Sequence, residues 1–142
     1  MKINTVYYLL LILVILSCKS AHYSVENWPQ TYLSFGSFGG FSGMISTTYL
    51  LPNGQVFHEN SMDNKKIETN KLSKKEARNV FNSAEKINWS QLPPDNFGNM
   101  SYFFSYHTKD STYTANWGEK GQTPPAELNA IYQKIQHLTA HQ

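Results

Sequence analysis

Serine, histidine and acidic side chains are plentiful in this chain, so nucleophilic hydrolysis is the first chemistry to consider. A hydrolase of the α/β type sets its serine on a Gly-x-Ser-x-Gly elbow between a strand and a helix. The nearest approach is Gly40-Phe41-Ser42-Gly43, which falls between two predicted strands and is better explained as a hairpin connection. Metal chemistry would have to draw on His58-Glu59, His107 and Asp110, which are dispersed. None of these stands in an i, i+4 pair on a predicted helix, no His-x-His occurs, and His137 and His141, near the C-terminus where a helix frays, are assigned no role. His58 and His107 both fall on predicted strands and could meet across a sheet, but surface imidazoles account for them better. Gly36-x-x-Gly39-Gly40-x-x-Gly43 is dense in glycine yet lacks the Lys-Ser/Thr and the helix that a phosphate loop needs. Carboxylates paired for glycoside chemistry are absent. No catalytic residue, bound metal or cofactor is expected.

What remains is a set of aromatic residues on predicted loops. Phe38 and Phe41 lie in the glycine-rich turn, Trp89 and Phe97 in a proline loop, and Trp117-Gly118 begins a third. Glycine lets a backbone approach a partner closely, and loops carried by rigid sheets are where binding residues concentrate. The candidate partner-binding residues are therefore Phe38, Gly39, Gly40, Phe41, Ser42 and Gly43. The alternative is that these rings fold back over the sheet edges, which applies first to Trp89 and Trp117.

The remaining reactive side chain is Cys18, the single cysteine among 142 residues. It follows Met1-Lys2-Ile3-Asn4-Thr5 and the apolar run from Val6 to Leu16. That run has the length of a signal-peptide core and is short of the roughly 20 residues that span a bilayer. Ile15-Leu16-Ser17-Cys18 resembles a lipobox, a branched aliphatic three positions before the cysteine and a small residue just before it. The resemblance implies cleavage before Cys18 and diacylglycerol on its thiol, so residues 1–17 are expected to be a lipoprotein signal peptide. Two or three acyl chains, at about 0.8 kcal/mol per buried methylene, anchor a protein stably. A single cysteine also rules out an intrachain disulfide.

The mature chain would keep eleven of the twelve Lys/Arg and all ten Asp/Glu. Near-neutrality argues against a nucleic-acid binder, which usually needs a strong basic patch. Residues 18–29 are polar without apolar period and are expected to be the lipidated cysteine and a tether. Residues 30–142 are expected to form one domain at the bacterial cell envelope, on the periplasmic or outer-membrane side. The tether lacks the acidic cluster that often follows the cysteine in surface-displayed lipoproteins, so surface exposure stays open.

Stepping along that domain, Gln30 to Phe35 and Met44 to Leu51 read as strands around a turn over Gly36 to Gly43. Pro52-Asn53-Gly54-Gln55 is a strong hairpin signal, returning as a strand from Val56 to Met62, and Ile67 to Lys71 reads as a short optional fourth. Ser73-Lys74-Lys75-Glu76 is a capping box, behind which Ala77, Val80, Phe81, Ala84 and Ile87 share one helical stripe. Lys74, Lys75, Arg78 and Lys86 fall largely off that stripe. Met100 to His107 and Thr112 to Trp117 read as strands, and Pro124-Pro125 opens a last helix with Leu128, Ile131, Tyr132, Ile135 and Leu138 inward. The order β-β-β-(β)-α-β-β-α predicts an α+β fold, an antiparallel sheet of four to five strands with two helices packed on one face.

Two resemblances follow. The layout from Gly39-Gly40-Phe41-Ser42-Gly43 through Leu72 to Ala77, Gly98-Asn99-Met100, Trp117-Gly118 and Pro124-Pro125-x-x-Leu128 is similar to small lipoproteins of Flavobacteria and their relatives that have no assigned activity. The Gly-Gly-Phe-x-Gly turn, central amphipathic helix, aromatic strand and final Pro-x-x-Leu helix also resemble, more weakly, emfourin-like inhibitors of thermolysin-type metalloproteases. That likeness implies a protein partner, a protease, engaged by Gly39 to Gly43. The expected function is thus a membrane-tethered, non-enzymatic binding module. The alternatives are an accessory envelope lipoprotein that docks a larger complex, and, third, a hydrolase or metal-dependent enzyme built on His58 or His107.

Overall fold

Alternation of apolar and polar residues dictates strands whose two faces differ, and the Asn53-Gly54 pair dictates where the chain reverses. In the computed structural model, which describes residues 21–118 and 124–140, β1 (Tyr32–Gly39), β2 (Met44–Leu50), β3 (Gln55–Asn60) and β4 (Ile67–Lys71) follow one another. Then come α1 (Lys74–Glu85), a 3-10 turn (Trp89–Gln91), β5 (Met100–His107), β6 (Thr112–Gly118) and α2 (Ala126–Ala140). Cys18 and the predicted signal peptide lie outside the described residues.

The strands form one antiparallel sheet of six, in the order β4-β3-β2-β1-β5-β6. The α+β class and the element order agree with the sequence reading, while the strand count exceeds the expected four to five. The short segment Ile67–Lys71 pairs with β3 through a bulge at Val56/Phe57, and β1 pairs with both β2 and β5. That double pairing fuses the two hairpins into a single sheet. It also lengthens β1: residues 36–39, expected to belong to a turn, run on as strand because Gly36 to Gly39 find register partners from Phe103 to Met100.

Cross-strand partners share a face, so the register sorts the side chains. Leu33, Leu50 and Val56 line up, as do Phe35, Phe104 and Ala115, all buried. Ala77, Val80 and Ala84 of α1 and Leu128, Ile131, Tyr132 and Ile135 of α2 join them in one core. Removing each large aliphatic side chain from water contributes about 1.5–3 kcal/mol, which is what holds both helices on this face. Ser73 caps α1 in a full capping box, its hydroxyl accepting from the Glu76 amide while the Glu76 carboxylate accepts from the Ser73 amide at 2.9 Å. The Ser73 hydroxyl also donates to that carboxylate at 2.6 Å, and this bond first, with the one from the Ser73 amide second, holds the Glu76 carboxyl below its ordinary range.

The sheet has two distinct ends. Gly54, Lys71 and His107 lie at the hairpin end, where β1 begins. Gly39, Met44 and Met100 lie at the glycine end, where β1 finishes. Phe81 of α1 meets Tyr106 near the hairpin end, whereas Tyr132 of α2 meets Tyr102 and Trp117 nearer the glycine end. Among the described residues no helix is long and apolar enough to cross a membrane.

Residues 21–29, expected to be tether, lie against the domain at the hairpin end. The Tyr23 amide donates to Gln55 Oε1 at 2.7 Å, Gln55 Nε2 donates back to the Tyr23 carbonyl, and Asn53 Nδ2 donates to the Ala21 carbonyl. Trp28 sits edge-on to Tyr32, Tyr49 and Phe57 on the face opposite the helices. Lys66 closes the stack, its Nζ about 5 Å from the Trp28 and Tyr49 rings and 3.8 Å from Glu59.

Candidate partner-binding surface

The turn between β1 and β2 is built by glycine. Gly39, Gly40 and Gly43 all hold positive φ, at 101°, 68° and 61°. The Gly40 amide donates to the Asn99 carbonyl at 2.7 Å, and a Cβ on Gly39 would stand 2.4 Å from that same oxygen. The strand end therefore approaches the 98–99 backbone closer than any side chain permits. Ser42 turns its hydroxyl back to accept from the Met44 amide at 3.3 Å, which engages it within the turn. The outcome is that Phe41 is thrust wholly into solvent.

Phe38 departs from expectation: it belongs to strand β1, not to the turn, and is half-buried. It lies on the helix-free face with Phe97 at 6.0 Å and Phe103 at 6.4 Å, and its cross-strand neighbour is Ile45. Phe97 is 59 % exposed and Ile45 46 %. The loop that carries Phe97 is fastened to β6 and β5, since Asp95 accepts from the Asn116 amide at 3.1 Å and Ser101 Oγ accepts from the Gly98 amide at 3.0 Å. The glycine end thus presents Phe38, Phe41, Ile45, Phe97 and Phe103 on fixed backbone, with neither helix over them. Scattered exposed apolar residues are ordinary, whereas a contiguous group at one edge marks an interaction surface.

The other loop aromatics fold back. Trp117 is buried between Tyr102 and Tyr132, and Trp89 stacks on Phe104 while its Nε1 donates to the Ala84 carbonyl at 3.2 Å. Trp117 belongs to the core, and Trp89, partly buried, packs against it.

Further along the helix-free face a polar network replaces the aromatic group. His107 Nε2 lies 2.9 Å from Ser34 Oγ, its Nδ1 lies 3.1 Å from Thr112 Oγ1, and Tyr32 stacks on the ring with centroids 4.1 Å apart. Ser105 and Thr114 are joined through their hydroxyls beside it. Burial pushes the His107 imidazole below its ordinary value, so it is neutral near pH 7. A serine beside a neutral histidine resembles the start of a hydrolytic triad, but a hydroxyl stands where a carboxylate would orient the ring and stabilise its charge. Ser34 also sits mid-strand, where β1 amides are committed to β2 and β5 and none is free to cradle an oxyanion.

His58 and His107 do not meet. His58 is in register with Thr48, which partners Phe35 on the helix-bearing face, whereas His107 partners Tyr32 on the other. Among the described residues no group of three His, Cys, Asp or Glu is placed to hold a metal. Tyr49, by contrast, donates to Glu59 at 2.6 Å, and burial together with that carboxylate pushes its phenol well up. An opening of about 540 Å³ lies at the hairpin end and is lined by neither histidine.

Sequence reasoning missed two features here. Trp28 is, with Tyr23, one of two large rings in the segment read as tether, a signal that the segment docks. Lys74 and Arg78, read only as falling off the apolar stripe of their helix, border the opening. No protein-family model matches the chain, and no curated protein matches it either. Its class rests on its own architecture: a two-layer α+β domain with one sheet face left without helices.

Proposed function

We propose that the protein is a lipid-anchored, non-enzymatic binding module of the bacterial cell envelope that engages a protein partner through its glycine end. The observation that carries this reading is the full exposure of Phe41 on a turn whose backbone is already bent by Gly39, Gly40 and Gly43. A pre-bent loop loses little conformational freedom on binding, and a rigid aromatic ring supplies apolar area at low entropic cost. Phe38, Ile45, Phe97 and Phe103 would widen the contact beyond a single side chain. The chain enters the fold at the hairpin end, so with acyl chains on Cys18 the glycine end would point away from the bilayer. A protease with an apolar cleft is the partner class that suits a projecting phenylalanine flanked by further apolar side chains.

The test is photo-crosslinking in cells with the full chain carrying a photoreactive residue at position 41, and a second at exposed Lys86. A discrete protein adduct from position 41, absent from position 86, supports the reading. Identical adduct patterns, or none, remove it. Titration of a thermolysin-type protease with the protein and with Phe41→Ala then tests the inhibitor form. Palmitate labelling of wild type against Cys18→Ala tests the anchor.

The accessory-lipoprotein reading is favoured by one different observation, the continuation of the helix-free face into the exposed Thr112 and Thr114 of β6. Adducts from a photoreactive residue at position 114 rather than 41 would select it.

A further inference from the structure

We propose that the opening at the hairpin end binds the phosphate headgroup of an anionic phospholipid in the membrane that carries the chain. The proposal rests on the lipid-anchor reading above and extends it. The opening, about 540 Å³, lies between Ala21 and Tyr23 of the N-terminal segment, the Pro52-Asn53 turn, and Lys74 and Arg78 of α1.

Three observations point to this ligand. The first is uncompensated charge. Lys74 and Arg78 stand four residues apart, so their cations share one helix face, an arrangement that is mildly unfavourable without a counter-charge. Neither forms an ion pair among the described residues, and no carboxylate lines the opening. Glu76, the acid closest in sequence, is committed to the Ser73 amide and hydroxyl at 2.9 and 2.6 Å. An arginine fork beside a lysine point charge is the side-chain pair that phosphate oxygens recruit.

The second is amphipathic lining. Phe81 and Pro52 flank the cations, and their apolar surface matches the glycerol and first acyl carbons next to a lipid phosphate. A free phosphate ion gains nothing from that surface.

The third is position. Ala21 forms part of the rim and lies three residues after Cys18. Three residues reach at most about 11 Å, so an acylated sulfur would hold the opening within roughly a nanometre of the bilayer surface. Tethering on that scale keeps the effective headgroup concentration high enough for a two-cation site to fill. Occupancy would fix the domain's tilt on the membrane and direct the glycine end outward.

The test uses the processed, acylated full chain in nanodiscs of phosphatidylcholine alone or with added phosphatidylglycerol. Protein NMR follows the Arg78 Nε–H and the amides of Tyr23, Asn53 and Lys74. The expected result is a set of shifts confined to these groups that appears only with phosphatidylglycerol, reverses with salt, and is lost in the Lys74→Gln/Arg78→Gln double variant. Unchanged spectra between the two discs would overturn the proposal. So would shifts produced by inorganic phosphate but not by phosphatidylglycerol, which would assign the opening to a soluble anion. Co-elution of protein with both kinds of disc reports the anchor separately. Loss of co-elution defeats the anchor reading, whereas co-elution without shifts defeats the headgroup site alone.

Discussion

The two ends of the sheet solve opposite problems with similar means. At the hairpin end, Asn53 and Gln55 are spent on holding residues 21–23, and Trp28 is clamped between three rings and Lys66. Polar and aromatic groups there turn inward, toward the chain itself. At the glycine end the backbone is just as constrained, by Gly39 against Asn99 and by the Asp95 contact with Asn116, but the side chains turn outward. Phe41 touches nothing it needs for folding. The lesson is that rigidity of backbone and exposure of side chain are separate variables, and their combination at one end distinguishes a binding surface from a merely exposed loop.

The largest expected effect tests the inward end. Trp28→Ala removes a half-buried ring and its three edge-on contacts, with an expected loss of about 2–4 kcal/mol in urea unfolding. A loss below about 0.5 kcal/mol would mean that residues 21–29 are tether after all. Gly39→Ala comes next, at about 2–3 kcal/mol, because it combines a strained φ with a Cβ pressed on the Asn99 carbonyl. Gly43→Ala meets open space and bears only the left-handed φ, so about 1 kcal/mol is expected, and the ordering of the two glycines separates close approach from conformational strain.

A pH effect follows for the network between the two ends. His107 titrates below its ordinary value of 6.5 when folded, because burial disfavours the imidazolium. Between the unfolded and folded values the unfolded chain binds more protons, so stability falls as pH drops through and below 6.5. Denaturant midpoints recorded across this range should decline more in wild type than in His107→Gln. The smallest stability effect is expected for Phe41→Ala, within about 0.5 kcal/mol, accompanied by loss of the inhibition that the protease titration reads. Substantial destabilisation would show that the ring serves the fold and would erase the contrast.

Much of the fold is legible in short windows. The capping box at Ser73 and Glu76, the Asn53-Gly54 reversal and the alternation in β5 and β6 each depend on groups a few residues apart, so the α+β class and the order of elements follow from local physics. The end of β1 was not legible, because Gly36-Ser37-Phe38-Gly39 carries no alternation to mark a strand. It becomes one because β2 and β5 supply partners on both sides. Phe38 accordingly moved from a turn to a sheet face, while Phe41 stayed where its glycines put it. Trp89 and Trp117 could be read as binding or core residues until the helices closed over them. Lys74 and Arg78 looked like an ordinary wet helix face, since nothing in their own turn records that the N-terminal segment returns beside them.

The chain's local patterns suffice to specify helices, reversals and which residues of a strand point the same way, because backbone geometry and capping act over one or two turns. The lipid expectation at Cys18 belongs to that level too and was read from the sequence alone. Which of the two sheet faces stays wet, which rings survive as surface, and which distant charges share an opening depend on pairing β1 with β5 and on where residues 21–29 come to rest. Those outcomes arise from contacts across tens of residues, and no local pattern encodes them.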